Sequence, residues 1–382
     1  MKKITRRSFL QASAAAVAAS AFVACSSEST ATTTTTTTTA ADTASDAEES
    51  YHFEIVSKGF QSTYWQAVYT GSLAKLDELN AAAGYEKYSM NFAGPDSESD
   101  IASQVTMFNS ALTSGPSALG LAALDTSALL DGISSAQSAG IPIIGFDSGV
   151  PDAPEGAVYA NAATDNYVAG ELAGESMYSL ISARLGGGSR VGIVNQDATA
   201  ESIINRGLGF IDKFVELATA DGMTVAIVGN DKYVGDSVDA TADEGAADII
   251  LDVAVPSQTT VELCATESSA LLNKSDLIAI YGSNQVAAEG VVTANDTLQV
   301  LGTADDDIIA VGFDSGTVLK AAVRAGTMAG AVTQAPVSIG SVLVQLLADS
   351  AAGIAVADTD TGCAFYTADN IDSDEIAPNL YD

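Results

Sequence analysis

Histidine is almost absent from this chain: its 382 residues contain one, His52. Histidine is the side chain whose charge changes near neutral pH and the commonest metal ligand, so histidine acid–base catalysis and histidine metal centres have no material here. Bases are scarce as well. Fifteen Lys and Arg face 49 Asp and Glu, a formal charge of −34, and such a surface repels a phosphate backbone, which argues against nucleic acid as a partner. Cysteine is limited to Cys25, Cys264 and Cys363. That is too few for a disulfide scaffold, and sequence alone leaves open whether the last two pair. Trp65 is the single tryptophan. Beyond the first 24 residues no run approaches the ~20 apolar residues a membrane span needs.

What is present at the front reads as export machinery. Lys2, Lys3, Arg6 and Arg7 make a positive start and Leu10 to Ala24 is apolar or small, so residues 1–24 read as a signal. Thr5-Arg6-Arg7-Ser8-Phe9-Leu10 looks like a twin-arginine signal, and Phe22-Val23-Ala24-Cys25 resembles a bacterial lipoprotein box, with Phe22 in place of the usual leucine. Lipidation at Cys25 is therefore expected. Residues 25–50 carry eight consecutive threonines, Thr32 to Thr39. With no apolar period they cannot repay their ordering entropy, and they read as a flexible tether.

The remaining residues, about 330, suffice for two lobes of ordinary domain size. Short apolar runs at 53–57, 118–122, 141–146, 190–194, 223–229, 277–281 and 308–313 alternate with helical patterns. These patterns fall at about 62–82, 98–113, 126–139, 165–185, 200–220, 237–252, 284–297, 317–325 and 336–351. Strands apolar on both faces between amphipathic helices indicate parallel α/β sheets covered on both sides. One such sheet of this length would be unusually wide, so two smaller ones are expected.

The segment Gly-Phe-Asp-Ser-Gly occurs twice, at 145–149 and 312–316, each time after an apolar run. In parallel α/β sheets, ligands meet the loops at the carboxyl ends of strands. Two facing lobes would thus aim Asp147 and Asp314 at one ligand from opposite sides, whereas an isolated copy would more simply cap the next turn.

Other short segments carry a family resemblance. Thr164-Asp165-Asn166, Asn205-Arg206-Gly207-Leu208-Gly209-Phe210, Tyr281-Gly282-Ser283-Asn284, Val311-Gly312-Phe313-Asp314 and Thr333-Gln334-Ala335-Pro336 stand in an order similar to that in the periplasmic sugar-binding proteins of the ribose/galactose type, the solute receptors of ABC importers. The likeness covers nearly everything from Tyr51 onward. It implies two Rossmann-like lobes joined by a three-stranded hinge, the periplasmic binding protein type I fold. The first lobe would hold 51–164 and 336–363, the second 165–335 and 364–382. It also implies that Asn166, Arg206, Asn284, Asp314 and Gln334 bind sugar hydroxyls, which suits side chains able to give and take paired hydrogen bonds. After the first strand, Lys58, Gln61, Tyr64 and Trp65 would add a cation, a polar contact and stacking surface, with Tyr233 as a further aromatic.

The chain also departs from that pattern. Ribose-type receptors follow the strand-end aspartate with arginine where this chain has Ser148, and carry asparagine where it has Ala122 or Ala123, ahead of Asp125; Ser148 and Asp125 are the ligand-binding candidates this chain offers there. Losing a bidentate donor makes ribose itself doubtful and leaves other pentoses, hexoses or polyols open. Gly94-Pro95 with the Phe-Asp-Ser strand end is similar to receptors for the furanosyl signal autoinducer-2, so a co-receptor for chemotaxis or quorum signalling is the alternative to import. Gly186-Gly187-Gly188 follows a helix and precedes a strand, the reverse of a phosphate loop, and Asp305-Asp306-Asp307 lacks calcium-loop spacing. A repressor would need a DNA-binding head, and a carboxylate-pair hydrolase a carboxyl of raised pKa, whereas neighbours such as Arg206 and Asn284 are expected to keep Asp147 and Asp314 ionised. The expectation is an exported, monomeric, non-enzymatic receptor that needs no cofactor or metal, is held to the membrane only through lipid at Cys25, and serves an ABC permease.

Overall fold

The computed structural model describes residues 49–382. The expected signal over 1–24, Cys25 and nearly all of the tether over 25–50 lie outside the described residues. The first half of the body runs β1 Tyr51–Val56, α1 Thr63–Ala83, β2 Tyr88–Ala93, α2 Ile101–Thr113, β3 Ala118–Leu121, α3 Leu130–Ala139, β4 Ile143–Phe146 and β5 Val158–Ala163. It continues with α4 Asn166–Ile181, β6 Ser189–Val194, α5 Glu201–Ala220, β7 Val225–Gly229, α6 Asp231–Asp236, β8 Ile249–Ala254, α7 Val261–Leu272 and β9 Leu277–Gly282. The last elements are α8 Gln285–Leu298, β10 Ile309–Phe313, α9 Thr317–Ala325, β11 Gly330–Gln334, α10 Pro336–Ala351, β12 Thr359–Asp360 and β13 Cys363–Tyr366.

These strands form two sheets, one in the order β12-β5-β4-β3-β1-β2 and the other β13-β11-β10-β9-β6-β8-β7. Every pairing is parallel except β11 with β13. Each sheet has an apolar cluster on either face. In the first, Phe53, Phe146, Ile339 and Leu343 pack on one side and Phe108, Leu119 and Ile133 on the other. In the second, Phe210, Phe214 and Tyr281 oppose Val291, Leu319 and Met328. This is the two-lobed, doubly covered α/β architecture of the type I periplasmic binding proteins.

Chain order reverses beside β1 in one sheet and beside β6 in the other: β1 lies between β2 and β3, and β6 between β8 and β9. Such switch points open a crevice at the carboxyl ends of the strands. The loops after β1, β6 and β9 therefore begin at binding positions.

Local sequence explains the elements that hold the site. Ser62 caps α1 by accepting the Trp65 N–H, and Gly84 closes it in the left-handed region. Pro336 opens α10, where its missing N–H costs nothing. Helices α4 and α5 touch backbone to backbone: a Cβ on Gly170 would stand 2.3 Å from the Arg206 carbonyl oxygen. Glycine there lets α5 lie close enough to α4 for Asn166 and Arg206 to meet.

Two features depart from the periodicity reading. The helix expected over 237–252 is instead a turn-rich loop followed by β8, whose Ile249-Ile250-Leu251 run is buried and pairs with both β6 and β7. Pairing on both edges rewards an extended chain whatever its helical period. Helices α6 and α7, and the strands β2, β5, β11, β12 and β13, carry no pattern that singles them out. The triple glycine does form a turn, with all three residues at positive φ. Among the described residues Cys264 and Cys363 are both unpaired, and no helix is long and apolar enough to cross a membrane.

Candidate functional site

The repeated segment ends β4 and β10, and both aspartates take a conformation rarely used by non-glycine residues: φ is +57° at Asp147 and +73° at Asp314. Such strain persists only where its surroundings enforce it. Here the Asn166 side chain holds the Asp147 carbonyl at 3.2 Å, and the Tyr366 hydroxyl donates to the Asp314 carbonyl at 2.8 Å. Both carboxylates line one cavity between the sheets.

Each carboxylate has a cation. Lys58, at the end of β1, sets its Nζ 2.9 Å from Asp147 Oδ2, and Tyr64 donates to Oδ1 at 2.5 Å. Across the cleft, Arg206 lies 3.6 Å from Asp314 Oδ2, while Gln334 donates to Oδ1 at 2.6 Å and the Gln285 N–H to Oδ2 at 3.1 Å. The guanidinium also covers the Phe313 ring at 4.0 Å and receives orientation from Asn166 Oδ1 at 2.8 Å. Burial opposes charge on Lys58, but Asp147 and then Glu98 outweigh it and its pKa is raised. Burial likewise opposes charge on Arg206 and is outweighed by Asp314 and Asp147. For Asp314, burial pushes the pKa up and outweighs the opposing pull of Arg206, the reverse of the shift expected from its neighbours. The two strand-end carboxylates are thus each paired with a cation, and Glu98 adds a third carboxylate to the lining, which disfavours a ligand of strong negative charge.

Several buried polar atoms in this region have no protein partner, among them Gln334 Oε1, both ends of Asn195 and the Ser283 hydroxyl. Asp147 Oδ2 also accepts no hydrogen bond, although it faces Lys58; the contact has the distance of an ion pair without hydrogen-bond direction. Buried polar atoms of this kind are costly unless something satisfies them.

The cavity is small, about 30 Å³, room for roughly one water. The lobes are drawn together by direct bonds: Lys58 donates to Ser202 Oγ at 3.0 Å, the Ser202 N–H to Ser148 Oγ at 3.2 Å, and the Gly149 N–H to Glu201 at 3.2 Å. A wider, more open groove of about 430 Å³ lies alongside, lined by Asn161, Asp165, Glu201, Asn205 and Asp358 and reaching Asn166. It contains carboxylates without a cation and no fully buried charge, so the smaller cavity, with its buried ion pairs, is the better-built site despite its size.

Of the residues expected from sequence, Lys58, Tyr64, Trp65, Asp147, Arg206, Asn284, Asp314 and Gln334 line the cavity. Asn166 stands behind it and orients Arg206. Ser148 is buried, with its hydroxyl engaged by the facing lobe. Three expectations are corrected. Tyr233 is fully buried in the core of its lobe and its hydroxyl donates to the Asp197 carbonyl at 2.8 Å, so it offers no face to a ligand. Asp125 accepts from Ser127 and Ala128 and closes its own turn. Gln61 is exposed and outside the cavity. Glu98, Gln196 and Gln285 also line it and were missed. Gln196 follows the end of β6 and was open to the strand-end argument that found Asp147; Glu98 sits in a loop with no such signal.

Two sheets, two switch points and a cleft lined by paired charges from both sheets define a two-lobed binding protein. Residues 53–355 match the periplasmic binding protein domain family, and the chain belongs to that family. A solved structure described as an ABC transporter, LacI family transcriptional regulator from Brachyspira murdochii is 31% identical, with a TM-score of 0.71 over 87% of this chain and 99% of that one. An ABC transporter solute-binding protein from Agrobacterium vitis with bound D-fucose is 28% identical, TM-score 0.69, over 86% and 100%. A carbohydrate transporter solute-binding protein from Agrobacterium radiobacter, in complex with D-arabinose, shares the fold at 23% identity, TM-score 0.67, over 87% and 99%. No curated protein sequence matches the chain.

Proposed function

We infer that the protein is an exported receptor that captures a neutral sugar or polyol between its lobes and delivers it to an ABC import permease, without catalysis. The lobes are taken as 51–164 with 336–363 and 165–335 with 364–382, and the body as tethered through lipid at Cys25. The observation that carries this reading is the placement of Asp147 and Asp314, one from each sheet, on a single cavity with Lys58 and Arg206 as their cations. Planar carboxylates, amides and a guanidinium are the groups that grip vicinal hydroxyls. The Agrobacterium vitis relative with D-fucose supports the ligand class.

A ligand pocket for a small molecule runs to about 300–1,000 Å³, far above the cavity in this structure. Entry therefore requires the lobes to part, after which hydroxyls replace the partners that the cleft side chains now find in one another. The ligand stabilises the joined state because only there does it meet both carboxylates. A thermal-shift screen against D-fucose, D-arabinose, D-ribose, D-galactose and inositol tests the reading. A ligand at 100 times its Kd adds about 2.7 kcal/mol of stability. A hit that leaves the sugar chemically unchanged and is lost in Arg206→Ala is the expected result; no shift with any of them removes the carbohydrate assignment.

A further inference from the structure

We propose that Glu98 is a positioning residue for the cleft: it fixes the indole of Trp65 as a wall of the cavity and latches that wall to the opposite lobe. The inference rests on the binding-cleft reading above. Glu98 lies in the loop between β2 and α2, and each of its carboxylate oxygens has a different partner. Trp65 Nε1 donates to Oε1 at 2.8 Å, and Gln196 Nε2 donates to Oε2 at 3.1 Å. The first bond stays within one lobe. The second crosses to the end of β6, where Gln196 is in turn held by Asn284, the residue that caps α8. Four residues lining the cavity thereby form one hydrogen-bonded chain across the cleft.

The geometry gives the chain a purpose. Trp65 is 1% exposed, stands edge-on to Tyr64 at 5.0 Å with an 86° interplanar angle, and has Lys58 Nζ 5.8 Å from its ring. Tyr64 donates to Asp147, and Lys58 pairs with it. The indole thus braces the two side chains that aim one of the two strand-end carboxylates. An indole N–H has a single donor and no other role here, so its acceptor decides how the ring is turned. A charged acceptor holds it more firmly than a neutral one. Because the Gln196 bond can form only with the lobes together, the same carboxylate stabilises the joined state.

The two bonds separate by substitution. Glu98→Gln keeps a carbonyl oxygen for Trp65 but turns an NH₂ toward Gln196, whose own oxygen is held by Asn284. Glu98→Ala removes both bonds, and Gln196→Ala removes only the crossing one. Trp65 is the sole tryptophan, so intrinsic fluorescence reports its surroundings directly. In the sugar-free protein, Glu98→Ala should shift the emission to the red and raise acrylamide quenching about threefold or more, while Glu98→Gln and Gln196→Ala, which loosen the lobes but leave the indole its acceptor, should change both distinctly less. With the monosaccharide that binds in the screen, Kd should rise about tenfold in Glu98→Ala and about threefold in the other two variants. Wild-type emission and quenching in Glu98→Ala would overturn the positioning role, and an unchanged Kd in Gln196→Ala would overturn the latch. If nothing in the screen binds, the carbohydrate reading fails, yet the quenching measurement still decides whether Glu98 positions Trp65.

Discussion

The hydroxyl of Ser148, at the end of a strand in one lobe, accepts the backbone N–H of Ser202, in the first turn of a helix in the other, at 3.2 Å. Helix α5 has Ala200 at its N-cap and no capping side chain of its own, so one of its orphan donors is satisfied from across the cleft. A cap of this kind is worth about 1 kcal/mol, and it exists only while the lobes are together. Ser148→Ala should therefore weaken ligand binding about fivefold, measured by calorimetry. Small-angle scattering of the sugar-free protein should show a more open average form.

Lys58 and Asp147 form a buried pair, 3% and 2% exposed. Removing one partner of such a pair leaves an uncompensated charge and costs about 3–5 kcal/mol, whereas removing both together is often close to neutral. Lys58→Met and Asp147→Asn should each lower the denaturant midpoint clearly. The double variant should recover most of the loss, giving a large coupling energy in the cycle.

Glu201 ties the lobes by accepting the Gly149 N–H, and burial raises its pKa above the usual 4.5 against the opposing effect of that bond. A carboxyl with a raised folded pKa holds a proton that the unfolded chain releases, so stability falls as pH rises from about 4.5 through the folded value. Glu201→Gln cannot ionise and keeps an acceptor for Gly149. The variant's melting temperature relative to wild type should rise across that window and level off above it.

Tyr233 and Tyr64 are both buried tyrosines, but in different settings. Tyr233→Phe removes a buried bond to the Asp197 carbonyl and should cost about 1 kcal/mol of stability with sugar affinity unchanged. Tyr64→Phe strips a donor from Asp147 and should lower affinity several-fold. Paired melting and calorimetric measurements on the two variants check this contrast.

The sheets and the strand-end aspartates were legible because burial on both faces and the repeated Gly-Phe-Asp-Ser-Gly are local features of sequence. Tyr233 was misread because an aromatic near a strand end looks the same whether its ring faces a cleft or, as here, its own core. Asp125 was misread for a related reason: a short acidic side chain can close its own turn, as its bonds to Ser127 and Ala128 show. Strand β8 escaped because its extended form depends on β6 and β7 on either side, partners far away in sequence. Glu98 was invisible because both its partners, Trp65 and Gln196, come from other elements and meet it only in the folded chain.

Calorimetric titration of the sugar identified in the screen into wild type, Asp147→Ala and Asp314→Ala tests the central claim most directly. A hydrogen bond to a charged group contributes about 1.5–3 kcal/mol. Each variant should therefore lose at least tenfold in affinity, with one sugar bound per wild-type chain. Full affinity in either variant would show that the two lobes do not aim their carboxylates at the same ligand.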